Sequence, residues 1–139
     1  GAIGKYQPGN NRSQVKTTDK NTLICDSYNA NPTSMRAALK SFSELKAGRR
    51  VLILGDMLEL GDRSEEEHLK LLNEMKQVKY EKIFLVGTEF GRVAGDQGFE
   101  LFSDVAQLRE HLRNNPVTGS LILIKGSRGM TLEKVYELL

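Results

Sequence analysis

The chain has 139 residues, 20 basic against 18 acidic side chains for a formal charge of +2, and one cysteine. That length supports one domain burying about two thirds of its unfolded surface, and a near-balanced charge without basic blocks gives no footprint for nucleic acid or a membrane surface. Cys25 has no partner for an internal disulfide and no apolar run approaches the ~20 residues that span a bilayer, so a soluble cytoplasmic protein is expected.

Gly1 to Asn11, rich in Gly and Asn with Pro8 and no sustained periodicity, reads as a loop or linker. Arg12 to Thr17 is a short β-prone run, Thr18-Asp19-Lys20-Asn21 has turn chemistry, and Thr22 to Cys25 resumes as a strand. The pattern predicts a hairpin and therefore an antiparallel edge. Cys25, inside that apolar run, reads as a small buried hydrophobe rather than a nucleophile. Beyond it comes Asp26-Ser27-Tyr28-Asn29-Ala30-Asn31-Pro32-Thr33-Ser34-Met35, which sets an acid, a phenol and two amides between a strand and an amphipathic helix. Asn31 followed by Pro32 is a helix start, because Asn caps well and Pro at the first helical position forfeits no bond. Met35, Ala38, Leu39, Phe42 and Leu45 form the buried stripe, and the helix is expected to end near Gly48. Asn31 reads equally as a cap worth about 1 kcal/mol and as a ligand contact.

Val51 to Leu54 is apolar throughout, as a strand covered on both faces should be, and Gly55 permits a tight turn beyond it. Ser64-Glu65-Glu66-Glu67 predicts a capping box opening the next helix, with Lys70, Lys76 and Lys79 towards its negative end. The charge run is then a solvated helix face, and His68, on a stripe with Leu72 and Met75, reads as a histidine at the core edge. Ile83 to Val86 followed by Gly87 repeats the buried-strand-then-glycine pattern, while Thr88 to Gly98 predicts only a short turn around Phe90 to Ala94. Phe99 to Phe102 is a brief strand. Ser103-Asp104 caps a helix carrying Val105, Leu108 and Leu112 until Asn114-Asn115-Pro116 stops it. Leu121 to Ile124 is the last buried strand, and Thr131 is expected to cap a final helix with Leu132, Val135, Tyr136 and Leu139 on one face. Strands alternating with helices predict an α/β fold: a Rossmann-like, doubly wound, mostly parallel sheet with helices on both faces and the hairpin at its edge.

This connectivity places Asp26, Asp56 and Lys125, each at the end of an apolar strand, on the carboxyl rim of one sheet, where open α/β proteins bind ligands. An aspartate there can accept bonds from ribose hydroxyls or hold a metal, and a lysine or arginine offers charge to phosphate or carboxylate. Lys125-Gly126-Ser127-Arg128-Gly129 reads equally as an anion cradle and as a plain glycine turn. No G-x-x-x-x-G-K-[ST] and no G-x-G-x-x-G is present, His68 and His111 lie far apart, and there is no second cysteine. Neither a phosphate loop nor a metal site is expected within these residues.

Three stretches in order, Asp26 to Met35, Leu54 to Gly61 with Ser64 to His68, and Lys125 to Met130, resemble signatures of the C-terminal domain of the Mur ligases. The likeness runs from about Tyr6 to Leu139 and is greatest to the member that adds D-alanyl-D-alanine to UDP-N-acetylmuramoyl-tripeptide. It implies that residues 1–11 end a hinge from a central domain and that residues 12–139 are the C-terminal domain. It further implies a cytoplasmic, monomeric, ATP-dependent peptide ligase of peptidoglycan precursor synthesis, with roles in cell shape and division, working through an acyl phosphate. In such a ligase the first domain holds the UDP-sugar and the central one carries the phosphate loop and Mg2+. The third closes over them, completes the ATP site and presents D-alanyl-D-alanine while expelling water. This domain by itself is expected to be inactive.

Residue by residue, the resemblance makes Arg12 and Asp26 ATP contacts, with Asp26 on the ribose hydroxyls, and puts Tyr28, Asn29 and Asn31 around the nucleotide and reacting centre. It puts Lys125, Ser127 and Arg128 beside the incoming dipeptide, and groups Asp56 and Glu59 with that substrate side without an individual role. No metal ligand is implied in this domain. Two other readings stay open: a receiver-type phosphoacceptor domain, which wants adjacent acids where Asp26 is followed by Ser27 and Tyr28, and the C-terminal domain of folylpolyglutamate synthase.

Overall fold

The computed structural model describes residues 13–26, 30–95 and 98–139. Six strands, β1 Ser13–Thr17, β2 Thr22–Asp26, β3 Arg50–Gly55, β4 Lys82–Val86, β5 Glu100–Phe102 and β6 Leu121–Lys125, form one sheet in the order β1-β2-β6-β3-β4-β5. β1 is antiparallel to β2 and every other pairing is parallel, so the expected edge hairpin and parallel body are both present. The turn closes where the Asn21 N–H donates to Thr18 Oγ1 at 2.9 Å.

The connecting helices are α1 Pro32–Glu44, α2 Ser64–Met75, α3 Thr88–Ala94 and α4 Val105–Asn114, with 3-10 segments at Gly61–Arg63, Arg128–Met130 and Leu132–Leu138. From β2 the chain steps to β3, β4 and β5 in one direction, so crossovers of one hand lay α1, α2 and α3 on one face. The return from β5 to β6 runs the other way and lays α4 on the opposite face. Packing follows: Met35, Phe42, Leu71, Leu72 and Phe90 lie with Ile24, Leu52 and Leu123, while Leu108, Leu112 and Val135 lie with Val51, Ile53 and Ile124. Strand side chains alternate between faces, and both faces are covered, which is why these strands are apolar without a break.

Four local expectations change. α1 stops at Glu44, short of Gly48. The capping box belongs to α1, where Asn31 Oδ1 accepts from the Ser34 N–H at 2.8 Å and Ser34 Oγ accepts from the Asn31 N–H at 3.1 Å. At Ser64 there is none: the chain enters α2 already coiled by the preceding 3-10 turn, and Arg63 at the N-cap makes no side-chain cap bond. Thr131, in the left-handed region at φ 52, caps no α-helix, and the segment after it winds as a 3-10 helix. α3 is a full seven-residue helix despite Gly91, because a side chain from another element caps it.

Gly126 lets the chain leaving β6 cross the end of β3, since a Cβ there would sit 2.8 Å from Gly55 Cα. That contact brings two rim loops together.

Candidate functional site at the carboxyl rim

β2, β6 and β3 are neighbours, so Asp26, Lys125 and Asp56 all fall at adjacent carboxyl ends. Asp26 and Lys125 are in register across parallel strands, which turns their side chains to the same face. Ile24 and Leu123, two residues earlier on each strand, belong to the α1 cluster, so that face is the one α1 covers. Lys125 Nζ lies 2.8 Å from Asp26 Oδ2. Lys125 is only 1% exposed and Asp26 5%, so the ion pair is withdrawn from solvent.

Asp56 has a different partner set. Its Oδ2 accepts from the Glu89 N–H at 2.9 Å and its Oδ1 from the Phe90 N–H at 3.0 Å, so both oxygens engage the first turn of α3. Burial pushes its carboxyl up from the ordinary aspartate value, and the bonds from Phe90 and Glu89 pull against that rise. Gly87 makes room: φ is +123 there, and a Cβ would fall 2.1 Å from Asp56 Oδ2.

His68, 0% exposed, fixes the same loop from the other side. Its Nε2 accepts from the Met57 N–H at 3.0 Å, and its Nδ1 lies 2.7 Å from the Ser64 carbonyl, an arrangement that assigns the proton to Nδ1. Its ring meets Phe90 edge-on at 4.6 Å, and Ser64 Oγ donates to Glu89 Oε1. The core-edge histidine of the sequence reading is therefore a cross-brace holding α2, α3 and the loop after β3. Nothing in its helical spacing announces the Met57 bond, since that donor lies outside the helix.

The loop after β6 is stitched to the same place. The Ser127 N–H donates to the Asp56 carbonyl at 3.1 Å, and the Leu58 N–H donates to Ser127 Oγ at 2.8 Å. The glycine that ends β3, Gly55, and the one that follows β6, Gly126, are the sequence signal of this contact. Glu59 and Arg128 are exposed beside it, Glu59 in the left-handed region at φ 67, and Leu58 is 40% exposed. Asn31 is exposed at the start of α1 with its Oδ1 committed to the cap. Arg12, Tyr28 and Asn29 lie outside the described residues.

Among the described residues no group of three or more His, Cys, Asp or Glu side chains is arranged to hold a metal ion, and no helix is long and apolar enough to cross a membrane. A cavity of about 700 Å3 opens at the amino ends of the strands between Arg49, Lys82, Glu100 and His111, and shares no residue with the rim.

The family model for the Mur ligase, glutamate ligase domain matches residues 11–128. Over 130 residues the chain is 33% identical to the UDP-N-acetylmuramoyl-tripeptide--D-alanyl-D-alanine ligase of Rickettsia prowazekii, covering 91% of this chain and 29% of that protein. It is similar to the crystal structure of MurF from Acinetobacter baumannii, with a TM-score of 0.79 at 29% identity over 96% of this chain and 30% of that one. MurF ligase from Thermotoga maritima, in complex with ADP, shares the fold with a TM-score of 0.75 at 24% identity, over 96% of this chain and 31% of that one. The chain thus spans under a third of the length of these relatives. The receiver and folylpolyglutamate synthase readings are not better supported.

Proposed function

The chain belongs to the Mur ligase family, and from that premise we propose that residues 12–139 act as the C-terminal domain of the ligase that joins D-alanyl-D-alanine to UDP-N-acetylmuramoyl-tripeptide, with residues 1–11 leading in from a central domain. The observation that carries this reading is the likeness to the Rickettsia prowazekii ligase across 91% of the chain. ATP supplies the phosphoryl group that activates the tripeptide carboxylate, and the amine of the dipeptide then displaces phosphate to form the new peptide bond. The work of this domain is to complete the nucleotide site and hold the amine in line while excluding water.

A carboxylate at the end of β2 suits ribose hydroxyls, so Asp26 faces the nucleotide together with Arg12, Tyr28, Asn29 and Asn31. Lys125, Ser127, Arg128 and Glu59 are assigned to the dipeptide side with Asp56, whose carbonyl holds the Ser127 N–H. Mg2+ would be held with the phosphate loop of the central domain, as the family resemblance implies. The setting is the bacterial cytoplasm, and the product serves wall growth, hence cell shape and division.

Mixing the chain with the two remaining domains of the ligase and following phosphate release tests this directly. Release should require the chain, the UDP-tripeptide and D-alanyl-D-alanine together, and the chain alone should turn over no ATP. Turnover by the chain alone, or release indifferent to the dipeptide, overturns the reading.

A further inference from the structure

We propose that Lys125 is a positioning residue for the nucleotide, acting through Asp26, and not a ligand of the incoming dipeptide. The inference rests on the reading above in placing Asp26 on the ribose, and revises it for Lys125. Both Cα positions are set by the parallel register of β2 and β6, so the sheet itself aims the two side chains at each other. The 2.8 Å contact anchors Oδ2 of the carboxylate on the strand beside it. An ammonium that is 1% exposed and lies 2.8 Å from Asp26 Oδ2 is held against that carboxylate rather than presented to a dipeptide in solvent. Pairing also cancels that charge where a polyphosphate must approach, which a bare aspartate would oppose. The dipeptide needs a cation facing solvent, and Arg128 is exposed three residues on, opening the 3-10 turn Arg128–Met130.

The test is a split of kinetic constants in the assembled ligase, comparing Lys125→Met, Lys125→Arg and Arg128→Ala. Lys125→Met should raise the KM for ATP about tenfold or more while the KM for D-alanyl-D-alanine stays within about twofold. Lys125→Arg should recover part of the loss because the charge is kept, and Arg128→Ala should show the reverse split. A rise in the dipeptide KM with ATP unaffected would return Lys125 to the dipeptide site, and unchanged constants for both substrates would leave the pair purely structural; either result overturns the proposal. Where circular dichroism shows Lys125→Met unfolded, Lys125→Arg carries the same split. A wild-type assembly without dipeptide-dependent turnover is a separate outcome, which overturns the parent reading and this inference together.

Discussion

Two aspartates lie on the same rim, at the ends of β2 and β3 on either side of β6, and do different work. Asp26 faces a cation, Lys125, supplied by the adjacent strand, whereas Asp56 is turned away into the first turn of α3 and accepts two backbone N–H groups. An acid paired with a buried cation has its charge offset but remains a hydrogen-bond acceptor. An acid with both oxygens on a helix terminus is part of the scaffold. The position of a residue at the end of a strand is thus a weaker guide to chemistry than what the next element brings against it.

The sharpest way to break this contrast is to remove Lys125. In the chain itself Lys125→Met should cost about 3–5 kcal/mol in denaturant unfolding, because it removes one partner of a buried ion pair. Adding Asp26→Leu should restore part of that, since the buried carboxylate is removed together with the cation that faces it. Equal losses in the single and double variants would mean that the two side chains are not coupled.

Next in size is Asp56→Ala, expected to cost about 2–4 kcal/mol by leaving one buried and one partly buried N–H donor unpaired. Hydrogen exchange should speed up at the amides of Glu89 and Phe90, while Asp26→Ala should leave those two amides protected. Ser127→Ala is smaller, about 1 kcal/mol, with the Leu58 amide as its local reporter. If that amide keeps its protection, the stitch between the two loops does not hold them.

The smallest effect is on pH. The Asp56 carboxyl titrates above its ordinary value, so the fold binds that proton more tightly than the unfolded chain does. Its contribution is present in full below the ordinary aspartate range and is lost as pH rises through the folded value. Glu67 is the opposite case: its bond from Arg63, and then Lys70 and Arg36, hold it below the ordinary glutamate value against the cost of burial. Its contribution is present above that range and is lost as pH falls through the folded value. The stability advantage of wild type over Asp56→Asn should therefore shrink as pH rises, and that over Glu67→Gln should grow. Parallel curves for the two variants would contradict the assigned environments.

Much of this was legible in the residues. The unbroken apolar runs at Val51 to Leu54 and Leu121 to Ile124 announced buried parallel strands, the Asp19-Lys20 turn announced the hairpin, and the stretches around Asp26, Asp56 and Lys125 announced the family. Some local signals misled. Ser64 and Glu67 have the spacing of a capping box, but Ser64 Oγ serves Glu89 and His68 while Glu67 serves Arg63 and Arg36. Thr131 resembles a cap and instead takes a left-handed turn.

The sequence by itself determined which stretches become strands, where they end, and that two acids and a lysine share one rim, because periodicity, caps and turns act over a few residues. Only the tertiary structure decided who meets whom. It slots β6 between β2 and β3, so Lys125 lies beside Asp26, and it swings α3 over the end of β3, so Asp56 becomes a cap. Those partnerships join residues 33 to 99 positions apart in the chain, and they follow from burying both faces of one sheet at once, a condition no local pattern contains.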